Sequence, residues 1–239
     1  MLYFRGCVVR EKLPGISHAT EKILNLAGID YTLLDNESCC GSFLMRTGFK
    51  KDAEEVMKEN FQAILASDEK TVLVSCAGCY NTLKNDYKSF FDVDLNVIHT
   101  SELIKDLIDG NRIQVKPIEK TVTYHDPCHL GRHSGIYEEP RDIIKTSTEL
   151  VEMVRNRERS RCCGAGSGVK SAFPELALDV ADKRIQDAEE TNAEILVTTC
   201  SFCILNLKNA VETRENRNKK GSDIKVMDIT ELVLLGIEQ

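Results

Sequence analysis

Ten cysteines constrain this chain more than any other feature, because they fall into two copies of one long pattern. Cys7, Cys39, Cys40, Cys76 and Cys79 form C-x31-C-C-x35-C-x2-C. Cys128, Cys162, Cys163, Cys200 and Cys203 form C-x33-C-C-x36-C-x2-C, and no cysteine is left over. Adjacent cysteines cannot easily pair with each other and rarely serve a packed core. They are well placed to grip two points of one polynuclear metal centre. Each double cysteine is followed by glycine, at Gly41 and in the run Gly164-Ala165-Gly166-Ser167-Gly168.

The periodicity between the cysteines repeats as well. Leu2–Gly6 reads as a short strand ending at Cys7, and a helix follows over Ser17–Ala27 with Gly28 as its stop. Asp30–Leu34 reads as a second strand leading to Cys39-Cys40. Lys51–Ala66 predicts an amphipathic helix with Ala53, Val56, Met57, Phe61 and Ile64 near one face. Thr71–Ser75 is a buried-type strand ending at Cys76, and Cys79 opens a helix to about Phe90. Leu95–His99 is a strand, and Ser101 caps a helix through Ile108.

The stretch Gly110–Pro117 reads as a linker, after which the order restarts. Thr121–Tyr124 leads to Cys128, and Pro140 suits the first turn of the next helix. A strand near Leu150–Met153 leads to Cys162-Cys163, and Pro174 opens a long helix to about Thr191. Glu194–Thr198 ends at Cys200, Cys203 starts a helix, and Ile224–Asp228 is the last strand. Thr230-Glu231-Leu232-Val233 echoes Ser101-Glu102-Leu103-Ile104. The pattern predicts an α/β protein of two tandem duplicated domains, 1–116 and 117–239, each a mostly parallel sheet with flanking helices. Cysteines that follow successive parallel strands gather at the carboxyl ends of those strands, where such sheets bind ligands.

Composition narrows the chemistry. The 239 residues carry a net charge of −7, which argues against nucleic acid as a partner. No apolar run approaches the roughly 20 residues of a membrane span, and the N-terminus lacks the pattern of a signal peptide. A cytoplasmic location is expected, where thiols stay reduced and ten cysteines favour metal or redox chemistry over disulfides. Thiolates select zinc, Cu(I) or iron–sulfur clusters. Structural zinc takes four ligands in a compact pattern, whereas five thiols here spread across most of each half. Common iron–sulfur clusters also take four cysteines, so the fifth is spare or marks an unusual cluster. A zinc-stabilised interaction module stays open on the residues alone.

The same residues carry a family resemblance. The repeated pattern, with Cys76-Ala77-Gly78-Cys79-Tyr80, His125-Asp126-Pro127-Cys128-His129-Leu130-Gly131-Arg132 and Cys162 through Lys170, resembles the cysteine-rich CCG domains of heterodisulfide reductases. It is similar to the catalytic subunit of the membrane-associated enzyme and to its counterpart in the soluble one. The resemblance implies two non-cubane [4Fe-4S] clusters, one on Cys7, Cys39, Cys40, Cys76 and Cys79 and one on Cys128, Cys162, Cys163, Cys200 and Cys203. It implies reduction of the coenzyme M–coenzyme B heterodisulfide, seated between the clusters, to two thiols. The chain shows no C-x2-C-x2-C-x3-C run of ferredoxin type. The expected electron donor is therefore a separate ferredoxin-like cubane [4Fe-4S] subunit, through which any membrane association would run. A weaker likeness to subunits of lactate and glycolate oxidation systems implies an electron relay instead.

Arg132, Lys170 and Arg46 flank cysteine loops and are candidates to grip anionic groups of a small-molecule disulfide. His133 and His129 are candidate donors to a cluster sulfur or a substrate, and His125 reads as a packed or capping residue. The glycine run lacks the ending of a phosphate loop. Arg155–Arg159 reads as a solvated loop, and His18 and His99 carry no role.

Overall fold

Two parallel sheets, one per half of the chain, position everything else. The computed structural model describes residues 1–238. The first half runs β1 (Leu2–Phe4), α1 (Cys7–Lys12), α2 (Pro14–Leu26), α3 (Ser42–Thr47), α4 (Lys50–Ala66), β2 (Val72–Val74), α5 (Ala77–Asn81), α6 (Tyr87–Phe91), β3 (Val97–His99) and α7 (Thr100–Asp109). The second runs β4 (Thr121–His125), α8 (Glu138–Ser147), β5 (Glu149–Leu150), α9 (Val169–Ala172), α10 (Pro174–Glu189), β6 (Ile195–Thr198), α11 (Ser201–Thr213), β7 (Lys225–Asp228) and α12 (Ile229–Ile237). The sheets have the orders β1-β2-β3 and β5-β4-β6-β7, with every pairing parallel.

The two orders are the same once a lone parallel bridge between Leu2 and Thr32 is counted, since Thr32 stands beside β1 where β5 stands beside β4. The strand expected over Asp30–Leu34 does not form. Asp30–Leu34 makes only that bridge, and its counterpart is a two-residue strand. At the sheet edge, with Leu33 exposed, one backbone partner is all the segment has to hold it extended.

The helices follow their sequence signals closely. Pro14 and Pro174 each occupy the first turn, where a missing N–H costs nothing. On α4, Ala53, Met57, Asn60 and Ile64 face inward, while Val56 and Phe61 lie half-buried at the margin. The expected helix from Cys79 to Phe90 instead begins at Ala77 and passes through a π-helical turn, Thr82–Asp86, between α5 and α6.

The halves share their interior. One apolar cluster joins Leu2, Phe4 and Val74 to Leu130, Leu196 and Val226, and another joins Ile23 and Ile104 to Val122, Ile143 and Val233. Helix α2 packs on α12, and α7 packs on α8. In the duplication α2 corresponds to α8 and α7 to α12, so these are one contact made twice about a rough two-fold axis.

The last strand of each half ends in a buried cap. His99, not Ser101, caps α7: its Nδ1 accepts from the Ser101 backbone at 3.1 Å, and the Glu102 side chain accepts from the His99 N–H at 2.8 Å. Asp228 does the same for α12 with Thr230 and Glu231. Burial holds His99 down at about 4 and pushes Asp228 up to about 7. One oxygen of the Asp228 carboxyl, Oδ2, has no hydrogen-bond partner among the described residues.

A carboxyl raised in the fold stabilises it below its unfolded value, about 3.9, and that stability is lost as pH rises through about 7. His99 has the opposite sign, losing stability as pH falls below about 6.5 toward 4. Asp228→Asn keeps an acceptor for Thr230 and removes the titration. Denaturant unfolding of both proteins from pH 5.5 to 7.5 is expected to show the variant gaining on the parent by about 2 kcal/mol as pH rises. A constant difference across that range would mean the carboxyl does not titrate there.

Candidate metal centre

Each cysteine sits where a strand gives way to a loop or helix, at the carboxyl ends of the two sheets. Cys7 opens α1 just beyond the intervening Arg5-Gly6, and Cys128 lies in the turn after β4. Cys76 and Cys200 are the extended caps of α5 and α11, which makes Cys79 and Cys203 the third residues of those helices. Each helix therefore starts two residues before the expected Cys79 or Cys203. Cys39-Cys40 and Cys162-Cys163 lie in irregular loops just before Gly41 and Gly164.

These loops are held by matched devices. Tyr3 Oη meets Ser75 Oγ at 2.8 Å, and Tyr124 Oη meets Thr199 Oγ1 at 2.9 Å. Each pair ties a first strand to the residue before the C-x2-C. Asn60 Nδ2 donates to the Cys39 carbonyl and Asn206 Nδ2 to the Cys163 carbonyl, both at 2.7 Å. Gly41 and Gly164 both have positive φ, 87° and 85°. A Cβ on Gly41 would meet Met57 of α4 at 2.6 Å, and one on Gly164 would meet the Ala177 carbonyl of α10 at 2.3 Å. The glycine after each double cysteine is thus required twice over, by conformation and by the helix behind it.

A buried carboxylate anchors the first loop of each half. Glu37 accepts the backbone N–H groups of Arg5 and Gly6 at 2.9 and 2.8 Å. Asp126 takes a two-pronged pair from the fully buried Arg141 at 2.6 and 2.9 Å, and the Arg157 N–H at 2.8 Å. Arg141 also binds Glu152 at 2.6 Å. Arg157 is therefore not simply solvated, as the sequence pattern suggests. Asp126 is visible in the sequence only as part of a motif, and nothing there marks Glu37.

All ten cysteines line one cavity of about 510 Å³. Within it the sulfurs crowd: Cys7 Sγ lies 3.7 Å from Cys39 Sγ, and Cys76 neighbours Cys200 across the junction of the halves. Only three thiols are driven toward the thiolate. Cys39 falls to about 3 under hydrogen bonds from Cys40 and Cys7, and Cys76 and Cys163 fall under bonds from Cys200 and Cys162. The other seven rise through the same contacts, through burial, or both. Ten sulfurs this close cannot all carry charge unless cations lie among them, which fits a donor set built for soft polynuclear metal.

Arg46, His129 and His133 also line the cavity, with the two imidazole centroids 5.2 Å apart. Arg46 pairs with Asp86 at 2.9 Å. Arg132 and Lys170 are not among the lining residues. Arg132 donates to the carbonyls of Glu158 and Ser160, and Lys170 to Asn206 Oδ1 at 2.8 Å. Both cations brace the loop around Cys162-Cys163, and their charges still act on cysteines, Arg132 on Cys128 and Lys170 on Cys163. His125, expected as a packing residue, is buried beside Cys163 and Cys203.

A duplicated cysteine-rich α/β fold with this site defines a class, and the chain belongs to it. The CCG cysteine-rich domain family matches residues 1–84 and 122–208. One subunit of the dihydromethanophenazine:CoB–CoM heterodisulfide reductase of Methanosarcina acetivorans is 43% identical over 98% of this chain. One subunit of a fumarate reductase (CoM/CoB) from Methanothermobacter marburgensis is 38% identical over 97%, and an EtfAB:quinone oxidoreductase from Syntrophomonas wolfei is 30% identical over 99%. The chain spans 58%, 45% and 34% of the lengths of these three relatives. Among the described residues, no helix is long and apolar enough to cross a membrane.

Gly48 also has positive φ, 92°, but a Cβ there meets nothing within 4 Å. Gly48→Ala is expected to cost about 1 kcal/mol of backbone strain. Gly164→Ala is expected to cost about 2 kcal/mol more, from the clash with Ala177. Equal losses in denaturant unfolding would remove the packing half of the explanation.

Proposed function

We propose that this chain is an iron–sulfur oxidoreductase subunit that reduces a disulfide to two thiols at two non-cubane [4Fe-4S] clusters. The cysteines of each half, in the units 1–116 and 117–239, are the proposed ligands of one cluster. The supporting observation is that both sets line a single cavity, so one small molecule is able to meet both. The likeness to the Methanosarcina heterodisulfide reductase supports the coenzyme M–coenzyme B heterodisulfide as substrate. When bound, the clusters supply the two electrons that cleave the sulfur–sulfur bond. The proposed electron donor is a ferredoxin-like cubane [4Fe-4S] subunit.

The chain's own residues bind and protonate in this reading. Arg46, in the cavity wall, offers a guanidinium to an anionic end of the substrate. Cleavage needs two protons as well as two electrons, and His133 with His129 stands within the same space. Burial holds His129 below the usual imidazole range, which keeps it neutral until a proton arrives. Arg132 and Lys170 act from behind, by fixing the loop that carries Cys162 and Cys163.

The EtfAB:quinone oxidoreductase relative favours a second reading, an electron relay without substrate chemistry in this chain. Titration with thiols separates the two. Coenzyme M and coenzyme B, added one at a time to the oxidised protein, are expected to change its EPR spectrum. Arg46→Met is expected to raise the thiol concentration needed about tenfold, as loss of one charged contact of about 1.4 kcal/mol. A spectrum indifferent to both thiols would leave the relay.

A further inference from the structure

The two cysteine sets are held by matched devices, but one fully buried imidazole breaks the match. His125 ends β4, and its Nδ1 lies 3.0 Å from Nε of Arg184. Arg184 is itself fully buried and fixed, donating to the Arg155 carbonyl at 2.8 Å and to Asp187 at 3.3 Å. A guanidinium has no acceptor. The contact therefore requires a lone pair on Nδ1, which leaves the ring proton of the neutral imidazole on Nε2.

That Nε2 has no hydrogen-bond partner among the described residues. What it has nearby is sulfur: a ring nitrogen of His125 and the sulfurs of Cys163 and Cys203 all lie within 4.8 Å of one another. The tautomer decides what the ring does there. With its proton on Nε2 the ring offers sulfur a donor, not a lone pair, so it is not a further metal ligand. An orphaned N–H at full burial costs about 1–3 kcal/mol, and a neighbouring cysteine thiolate removes the cost.

At that place in the sheet the first half has no such group. Its own buried imidazole, His99, also leaves Nε2 unpartnered among the described residues, but it ends β3, where Asp228 stands in the second half. Among the described residues His99 is not grouped with two cysteine sulfurs as His125 is. Tyr3 and Tyr124 correspond, and the sheet register places Phe4 beside Val74 as it places His125 beside Thr198. Phe4 is fully buried and carries no donor. Hydrogen bonds to ligating sulfur withdraw charge and favour the reduced, more negative form of a centre.

We propose that His125 is a positioning residue that donates a hydrogen bond to the second cysteine set, so that the centre held there is easier to reduce than its partner. The inference rests on the reading that each set holds a cluster. In a cavity where two centres share one substrate, it makes them electronically unequal: the half bearing His125 takes an electron first.

The test is a reductive titration of the anaerobic holoprotein followed by EPR, with iron and sulfide analysis confirming two clusters. His125→Phe copies the first half, while His125→Gln offers a carbonyl to Arg184 and an N–H to sulfur. The Phe variant is expected to lower one of the two midpoints. At the parent's midpoint, the reduced-to-oxidised ratio of that centre should fall about tenfold, equivalent to about 59 mV for one electron. The other midpoint should stay put, and Gln should restore most of the shift.

Two midpoints unmoved by Phe, two moved together, or a Gln variant no better than Phe would overturn the inference while leaving two clusters standing. Should the Phe variant fail to fold, the parent labelled with ¹⁵N-histidine decides. Pulsed EPR is expected to show weak nitrogen coupling on one cluster signal, and no coupling on either overturns the inference. A protein holding fewer than two clusters overturns the underlying reading and this one with it.

Discussion

Crowded sulfur is the constraint on which the rest of this structure depends. Ten thiols face one cavity, and contact with one another, together with burial, keeps seven of them protonated. A protein gains nothing from such an arrangement unless cations draw the sulfurs together, because each buried thiol gives up hydration without a full partner. The fold is organised to supply that convergence. Parallel sheets send their carboxyl ends to one side, glycines at Gly41 and Gly164 let the loops pass close to the helices, and Glu37 and Asp126 fix the loops that lead to Cys7 and Cys128.

The anchor under Cys128 shows what the convergence costs. Arg141 and Asp126 are both buried, and a pair of that kind adds little net stability over apolar packing. Removing one partner is another matter, costing about 3–5 kcal/mol through the charge left behind. Its value lies in holding the turn after β4 in one conformation. The two-fold relation of α2 on α12 to α7 on α8 acts at a larger scale, since it faces one set of loops toward the other. Departures from that relation, such as His125 against Phe4, are then places where the two sites differ in chemistry and not in shape.

Much of this was legible in the sequence, and particular residues explain where it was not. The cysteine pattern, with Pro174 and the apolar stripe Ala53–Met57–Ile64, carried the fold class and the order of elements. Edge segments such as Asp30–Leu34 misled because a strand-like composition does not supply a hydrogen-bonding neighbour. Helix starts were displaced at Cys79 and at Ser101 because Cys76 and His99 cap unconventionally, one by backbone conformation and one by a ring nitrogen. Arg46 and His133 reach the cavity, while Arg132 and Lys170 are spent on backbone and amide oxygens. Side chains that flank a loop look alike in sequence, and only the fold decides which face it. The contacts of Glu37 with Gly6 and of Arg184 with His125 had no local signal, since they span 31 and 59 residues.

Both halves are proposed to hold iron–sulfur clusters around one shared space. The most direct test is to purify the chain anaerobically, assay iron, labile sulfide and zinc, and record EPR spectra at increasing states of reduction. Clusters held on two sets whose Cys76 and Cys200 are neighbours should sense each other magnetically, giving signals that broaden or split when both centres are paramagnetic. Stoichiometric zinc without labile sulfide, or iron signals that never interact, would contradict the account.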